Sequence, residues 1–266
     1  MSLHPALRAM LGVVLCLLAT SAFAQEFAAV ISPPRFEDRI AAGKTYRNVF
    51  ELTNVSSKPA RFTVETADWA LDASGAPVFS QPLAPGSCRP WVAIETNELR
   101  VAPGAKRRFR FEVTVPADAP RGECRFAIMV EGEPGAPQGG VPLPVSGRIG
   151  VIVYLAIGEA APVLEVTRVG SIDLNGTRVP ALTVRNTGDM HGRLDGWVAG
   201  VDAAGKRLVL VPDNSPVLPG MTRTLPLLPQ ADAGADAPPA ITWPLRLKGR
   251  LDAERQRVEV DATVER

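Results

Sequence analysis

The chain has 266 residues, with 29 Lys and Arg against 28 Asp and Glu, and its formal net charge at pH 7 is +1. A charge so close to neutral argues against nucleic acid or an acidic membrane surface as the main partner. The 25 Pro and 23 Gly, the aromatic content of 6 % and the short β-branched runs indicate an all-β protein. The length suits two domains of about 120 residues each.

The N-terminal residues have the pattern of a cleavable export signal. Arg8 precedes the apolar run 11–19, and an Ala-Phe-Ala motif ends at Ala24. The run is too short to span a bilayer, and Cys16 lacks the small residues that precede a lipoprotein cysteine. We therefore predict a signal peptide over residues 1–24 and an exported chain without stable membrane insertion. Without Arg8, 28 basic residues balance 28 acidic ones.

Two cysteines, Cys88 and Cys124, follow the predicted cleavage site. In an oxidising compartment an isolated pair of cysteines usually forms a disulfide. The alternative is two unpaired thiols buried in the core. We predict the bridge, which closes a loop of about 37 residues and contributes about 3–4 kcal/mol in the entropic treatment.

The strands predicted in the first half are separated by turns rich in Gly, Pro, Asn and Ser. Alternation is clearest between residues 99 and 132, where two long strands are joined by a Pro-rich link. Phe109, Phe111 and Val113 alternate with polar residues, so one face of that strand is expected to be apolar and the other wet. The other predicted strands are 28–31, 46–53, 60–69 and 91–95, followed by an extended run over 141–157.

The second half of the chain repeats the first in outline. Each half has a strand ending in an Asn turn, a Trp, an Asp…Gly turn and a Pro-Gly turn that leads into a strand. The matching segments are 50–54 and 182–187, Trp69 with 72–75 and Trp197 with 202–205, and 101–104 and 217–220. We predict two tandem immunoglobulin-like β-sandwich domains, over residues 25–158 and 159–266.

Residues suited to catalysis are scarce in this chain. His191 is the one histidine after the predicted cleavage site, and we interpret it as a surface residue of a turn. No serine has the surroundings of a nucleophile, and no His/Cys cluster has the spacing of a zinc site. No phosphate-binding loop or paired-carboxylate motif is present. We expect a protein that is not an enzyme, with no cofactor, no metal and no catalytic residue.

Five segments in order resemble the PapD-like periplasmic chaperones of pilus assembly. They are AAVISPPRFE, TNVSSKP, RVAPGAKRRFRFEV, VPADAPRGECRFAI and RIGVIVYL, and they cover most of residues 28–157. The same order is also similar to the N-terminal domain of the WxL-interacting surface proteins of Gram-positive bacteria. The chaperone resemblance implies a periplasmic protein that adds a strand to incomplete pilin subunits and holds their C-terminal carboxylate with a basic pair.

The resemblance assigns these roles to particular residues. Arg35 matches the first basic residue of the cleft between the domains, and Arg148 is the nearest candidate for the second. The alternating donor residues correspond to Val141, Leu143 and Val145. For all five residues, the alternative is an ordinary structural role in a core or on a solvated surface.

Three features depart from the chaperone pattern. Pro142 and Pro144 interrupt the donor stretch and remove two backbone N–H groups. Arg148 is an arginine in place of the usual lysine and lies nearer to the donor stretch than in the family. The family's Arg-Pro after the last tyrosine is absent, because Leu155 follows Tyr154. These differences indicate a divergent member.

The leading hypothesis is therefore a chaperone whose partners are a secreted pilin-like subunit and an outer-membrane usher. A homodimer that caps the free edge of the idle protein is a further expectation. The alternative is a structural or adhesive module of the envelope that binds cell wall or a surface protein. An accessible strand edge at the donor stretch distinguishes these two hypotheses, because only the chaperone needs such an edge to bind its subunit.

Overall fold

The computed structural model describes residues 29–72, 74–133, 147–231, 234 and 237–266. These residues form β-strands and one short 3₁₀ helix, Arg89–Trp91, and contain no α-helix. The predicted signal peptide and the donor residues Val141, Leu143 and Val145 lie outside the described residues.

The described residues of the first β unit, between 29 and 157, form ten strands in two main sheets. One sheet has the order β1-β3-β8-β6 and the other the order β2-β10-β9-β4-β5, with β7 also beside β4. The strands are β1 Ala29–Ser32, β2 Arg35–Ile40, β3 Thr45–Asn54, β4 Ala60–Leu71, β5 Pro77–Ser80, β6 Val92–Ile94, β7 Glu98–Val101, β8 Lys106–Thr114, β9 Gly122–Gly132 and β10 Arg148–Ile157.

The first strand of this unit changes sheets at two prolines. β1 pairs antiparallel with β3, whereas β2 pairs parallel with β10 on the opposite sheet. Pro33 and Pro34 lie between the two strands and have no N–H group to donate to a ladder, so continuous pairing stops there. The crossing closes one side of the sandwich from Ile152 onward.

The core of the first unit follows from the predicted alternation. Phe50, Phe109 and Phe126 are fully buried between the sheets, and the rings of Phe50 and Phe109 stack with centroids 5.0 Å apart. Burial of each such side chain contributes about 1.5–3 kcal/mol. Cys88 and Cys124 are joined by a disulfide, which ties the segment before the 3₁₀ helix to β9.

The described residues of the second β unit, between 164 and 264, form seven strands that pair in the order β11-β12-β15-β14-β13-β16-β17. Residues 222–226 of β15 pair with β12 and residues 227–229 pair with β14, so β15 joins the two layers of the sandwich. The inside of this unit buries mainly leucine and valine. Gln256 joins the two end strands, because its side chain accepts from the Leu164 amide and donates to the Leu164 carbonyl. The strands are β11 Leu164–Leu174, β12 Thr177–Asn186, β13 Asp195–Asp202, β14 Arg207–Pro212, β15 Thr222–Pro229, β16 Leu245–Ala253 and β17 Gln256–Val264.

The repeat found in the sequence extends to individual hydrogen bonds. The fully buried Asn54 donates from Nδ2 to the carbonyls of Lys58 and Val101. The fully buried Asn186 donates in the same way to Met190 and Val217. In each unit this amide therefore fastens its own turn to the Pro-Gly turn.

The Asp…Gly turns of the two units are also alike. Asp72 Oδ1 accepts from the amides of Ser74 and Ala76, and Asp202 Oδ1 accepts from those of Ala204 and Lys206. The predicted fold class, all-β with two tandem immunoglobulin-like β-sandwiches, is confirmed. The strands of the first unit end at Ile157 and those of the second begin at Leu164.

Candidate functional site: the β10 edge and the neighbouring cleft

The first half of β10 is an open strand edge on one side. β9 pairs with β10 along its whole length, from Arg148 to Ile157. On the other side β2 begins only opposite Ile152, whose amide donates to the Pro34 carbonyl. Within the described part of the chain, residues 148–151 therefore have a ladder partner on one side only. Such an edge can pair with an added strand.

The predicted donor stretch precedes this edge in the sequence and lies outside the described residues. The last described residue before it is Glu133 and the first after it is Gly147. Gly132 donates its amide to the Gly147 carbonyl at 3.0 Å, so the two ends of the intervening segment are adjacent. Gly147 leads directly into Arg148, the first residue of the open edge.

Arg35 and Arg148, the predicted anchors, share one face of the sheet but do not form a pair. Arg35 lies opposite Ile152, and Arg148 lies four residues earlier on β10. At about 3.3 Å per residue this separates them by about 13 Å along the strand. Each contacts a glutamate instead: Arg35 lies 2.8 Å from Glu37, and Arg148 lies 3.7 Å from Glu131.

A charged cluster lies on the same face of the sheet, between the two β units. His191 of the second unit contacts the Glu123 carboxylate through Nδ1, and its backbone amide donates to the same carboxylate at 2.9 Å. Glu37 lies 3.6 Å from His191 Nε2 and accepts from Arg193 at 3.1 Å. The imidazole also lies against the ring of Tyr154, with centroids 3.9 Å apart.

These contacts shift the pKa values of the cluster in opposite directions. His191 lowers the pKa of Glu37 to about 2, against the effect of burial, with help from the charges of Arg193 and Arg35. Burial alone would lower the pKa of His191, but its hydrogen bonds to Glu123 and Glu37 prevail and raise it. Burial raises the pKa of Tyr154 to about 12, so its phenol stays neutral.

An apolar contact accompanies the charged cluster. Trp69, Ala127 and Met129 are buried on the outer face of the first unit, where Leu218 of the second unit packs on them. The guanidinium of Arg125 lies over Trp69, 5.2 Å from the ring centroid. This outer face is therefore an interface between the two units.

Further polar contacts join the units at its border. Arg39 donates to the carbonyls of Gly158 and Ala160 and to the Glu254 carboxylate. Arg121 donates to Asp189 at 2.5 Å. Together with the central cluster, these bonds orient the second unit relative to the β10 edge.

The structure corrects the interpretation of His191. The sequence predicts a surface residue, but the exposed fraction of His191 is 5 % and Glu123 beneath it is buried as well. The sequence feature that indicates a covered outer face lies on β9, where Ala127 and Met129 are apolar on the face that points away from the core. Apolar residues on both faces of a strand indicate that both faces are covered.

The described residues contain no group of His, Cys, Asp or Glu that could hold a metal ion. Over the same residues, no helix has the length and hydropathy needed to cross a bilayer.

No protein-family model and no curated protein sequence matches the chain. Solved structures of fimbrial chaperones are similar to it. The YadV chaperone has 12 % identity and a TM-score of 0.46, and the match covers 89 % of this chain and 100 % of that one. The class 5 fimbriae chaperone CfaA has 11 % identity and a TM-score of 0.47, covering 88 % and 98 %.

The CsuC–CsuE chaperone–tip adhesion subunit complex of Acinetobacter baumannii has 14 % identity and a TM-score of 0.44, covering 87 % of this chain and 98 % of that one. The resemblance to fimbrial chaperones that the sequence motifs indicate is thus also found among solved structures, at low identity. With TM-scores below 0.5, the function of this chain has to be argued from its own residues.

Proposed function

We propose that this protein is a periplasmic, non-enzymatic chaperone for secreted subunits of the fimbrial or pilus type. The observation that supports this most is the open edge at residues 148–151, directly after the predicted donor stretch 141–145. A sheet edge of this kind gives backbone hydrogen bonds to an incomplete subunit. Covering the subunit in this way prevents the aggregation that exposed strand edges cause.

The donor residues add specificity to the backbone pairing. Val141, Leu143 and Val145 have the same parity and would fill the core of a subunit that lacks one strand. Pro142 and Pro144 have no N–H groups, so their positions cannot donate to the subunit strand. We expect regular pairing to begin at residue 147 or 148 and the upstream contact to depend on side chains.

In this proposal Arg35 anchors the subunit's C-terminal carboxylate, and Arg148 supports the strand at its outer end. Arg35 is half-exposed and its partner Glu37 is shared with Arg193 and His191, so an incoming carboxylate can take over Arg35 while Glu37 keeps two cationic contacts. Because Arg35 and Arg148 are about 13 Å apart along the strand, both side chains would have to extend toward each other to hold one carboxylate together. An outer-membrane usher and a self-capping homodimer stay predictions.

Co-expression with a fimbrial-type subunit encoded beside this protein tests the proposal. We expect the subunit to accumulate and to co-purify, and Arg35→Ala with Arg148→Ala to reduce its yield at least tenfold. Arg47→Ala is the matched control, because Arg47 is an exposed arginine paired with Glu112 on the other sheet. Unchanged subunit yield in the double variant would reject the anchor. Sedimentation with purified cell wall, without any effect on a subunit, would support the envelope module instead.

A further inference from the structure

The second β unit exposes an apolar face that shares no residue with the β10 edge. Its most exposed large side chains are Trp197 at 58 %, Val201 at 44 %, Val209 at 42 % and Leu228 at 40 %. They belong to the neighbouring strands β13, β14 and β15, and Ala199 lies beside Val209 between them. We call this set the Trp197 face. A groove of about 600 Å³, lined in part by Val201 and Val209, opens at its side.

Basic residues border the Trp197 face. On β16, Arg250 lies opposite Trp197, Lys248 opposite Ala199 and Arg246 opposite Val201. Arg246 and Arg250 contact Asp261 and Glu259 of β17. Lys248 has no ion-pair partner among the described residues. The border therefore favours a partner with acidic groups next to its apolar contact.

The first unit has a counterpart of this face, and there the face is occupied. Trp69 lies on β4, which pairs with β9 as β13 pairs with β16. Ala67 pairs with Ala127, which places Arg125 opposite Trp69, just as Arg250 is opposite Trp197. Both tryptophans precede an Asp…Gly turn on the face that points away from the core, although Trp197 stands two residues further from its turn.

The occupant of the Trp69 face is the Pro-Gly turn of a β-sandwich. Leu218, in the turn 217–220 of the second unit, packs there and is 2 % exposed. The guanidinium over Trp69, that of Arg125, is paired within the first unit, with Glu123 at 3.1 Å. The first unit thus shows what the Trp face of this fold binds: an apolar turn. The acidic groups expected of a partner at the Trp197 face follow from its basic border.

We propose that the Trp197 face docks a turn of an immunoglobulin-like β-sandwich in a partner protein, with an apolar residue over Trp197 and acidic residues against Lys248 and Arg250. This surface is separate from the β10 edge, so it does not depend on the chaperone function. A large aromatic side chain beside an arginine is the usual composition of an interface hot spot.

A second copy of this chain fits the Trp197 face poorly. The corresponding turn of its first unit, 101–104, offers Ala102 where the second unit offers Leu218. The exposed Arg100 and Lys106 flank that turn, and they would face the basic border of the Trp197 face. Like charges across an interface oppose association.

Site-specific photo-crosslinking in the producing cell tests the proposal. A photoreactive phenylalanine analogue replaces Trp197 in one full-length protein and Thr263 in a matched control, because Thr263 is exposed on β17 of the same sheet. Mass spectrometry then identifies the crosslinked peptide. We expect a product at position 197 that maps to an apolar, acid-flanked turn of another β-sandwich protein. No product above the Thr263 control, a product with a second copy of this chain, or one with lipid would overturn the proposal.

Purified components then test the chemistry of the contact. We expect Trp197→Ala, and Lys248→Glu with Arg250→Glu, each to weaken binding of the identified partner at least tenfold. Circular dichroism verifies folding, and Arg257→Glu on β17 is the charge control. Arg35→Ala with Arg148→Ala should leave this binding unchanged, which separates it from subunit binding at the β10 edge. Equal affinity in all variants would reject the docking surface.

Discussion

Trp69 and Trp197 show how two similar β units come to have different surfaces. Both lie on the outer face of the corresponding strand, each opposite an arginine, but Trp69 is 7 % exposed and Trp197 58 %. The hydrogen bonds around Asn54 and Asn186 are nearly identical. The repeat therefore determines the hydrogen-bonded framework of each unit. Whether the outer face of a unit is buried or exposed depends on whether another β unit packs against it.

Replacing each tryptophan by alanine tests this difference directly and should give the largest effect. We expect Trp69→Ala to lower the free energy of unfolding by about 3–5 kcal/mol, as for other large buried aromatics. Trp197→Ala should change it by about 0.5 kcal/mol or less. Chemical denaturation of both variants is the measurement. Equal losses would mean that the two faces are covered alike.

Removal of the disulfide should affect the first unit alone. We expect Cys88→Ser with Cys124→Ser to cost about 3–4 kcal/mol, because the bridge spans a sequence separation of 36 residues. The Trp197 face and the second unit have no cysteine and should keep their hydrogen-exchange protection. Loss of protection in both units would show that they unfold together.

Replacing either buried asparagine by alanine should lower the free energy of unfolding by the same amount, because the two side chains make equivalent hydrogen bonds. Asn54→Ala and Asn186→Ala each leave buried carbonyl groups without a donor, which costs about 2–3 kcal/mol. Asn48→Ala serves as a control on β3, because Asn48 is only partly buried. Thermal unfolding of the three variants measures these stability differences. A difference of more than about 1 kcal/mol between Asn54 and Asn186 would break the equivalence of the units.

The smallest effect is the pH dependence of the contact between the units. The pKa of His191 is raised above its ordinary value of 6.5, so its contribution is complete below about 6.5 and is lost as the pH rises through the higher pKa. The pKa of Glu37 is lowered from 4.5 to about 2, so its contribution is complete above about 4.5 and is lost as the pH falls to about 2.

The contact should therefore be strongest between about pH 4.5 and 6.5. Comparing the Tm of the wild type with that of His191→Gln across pH measures this, and we expect the difference to shrink at alkaline pH. A difference that grows with pH would contradict the assignment of a raised pKa. Asp202→Asn, in a turn away from the cluster, provides the control.

Much of the fold could be predicted because its signals are local. The period-two alternation around Phe109 and the turn residues near Asp72 and Asp202 determine strands and turns within a few residues of themselves. The repeat was visible for the same reason. The predicted strand 91–95 was too long, because Pro90 holds the chain up to Trp91 in a 3₁₀ turn.

The candidate site was predicted only in part. The chaperone resemblance predicts a strand edge near Arg148. It does not predict the partners of Arg35, because these depend on which residues pack against Arg35 in the folded protein. His191 was misplaced because its carboxylate partner Glu123 is 68 positions away in the sequence. A turn that contains one polar histidine has the same pattern whether or not another unit covers it.

By itself the sequence determined two all-β units, their shared framework of Asn and Asp turns and the cysteine pair, because these depend on alternation, turn chemistry and composition. Only the tertiary structure decided that the outer face around Trp69 is an interface, that His191 is buried between glutamates, and that the Trp197 face is open. The physical reason is that burial on an outer face depends on where another unit docks. That position results from contacts between residues far apart in the chain, such as Leu218 on Trp69.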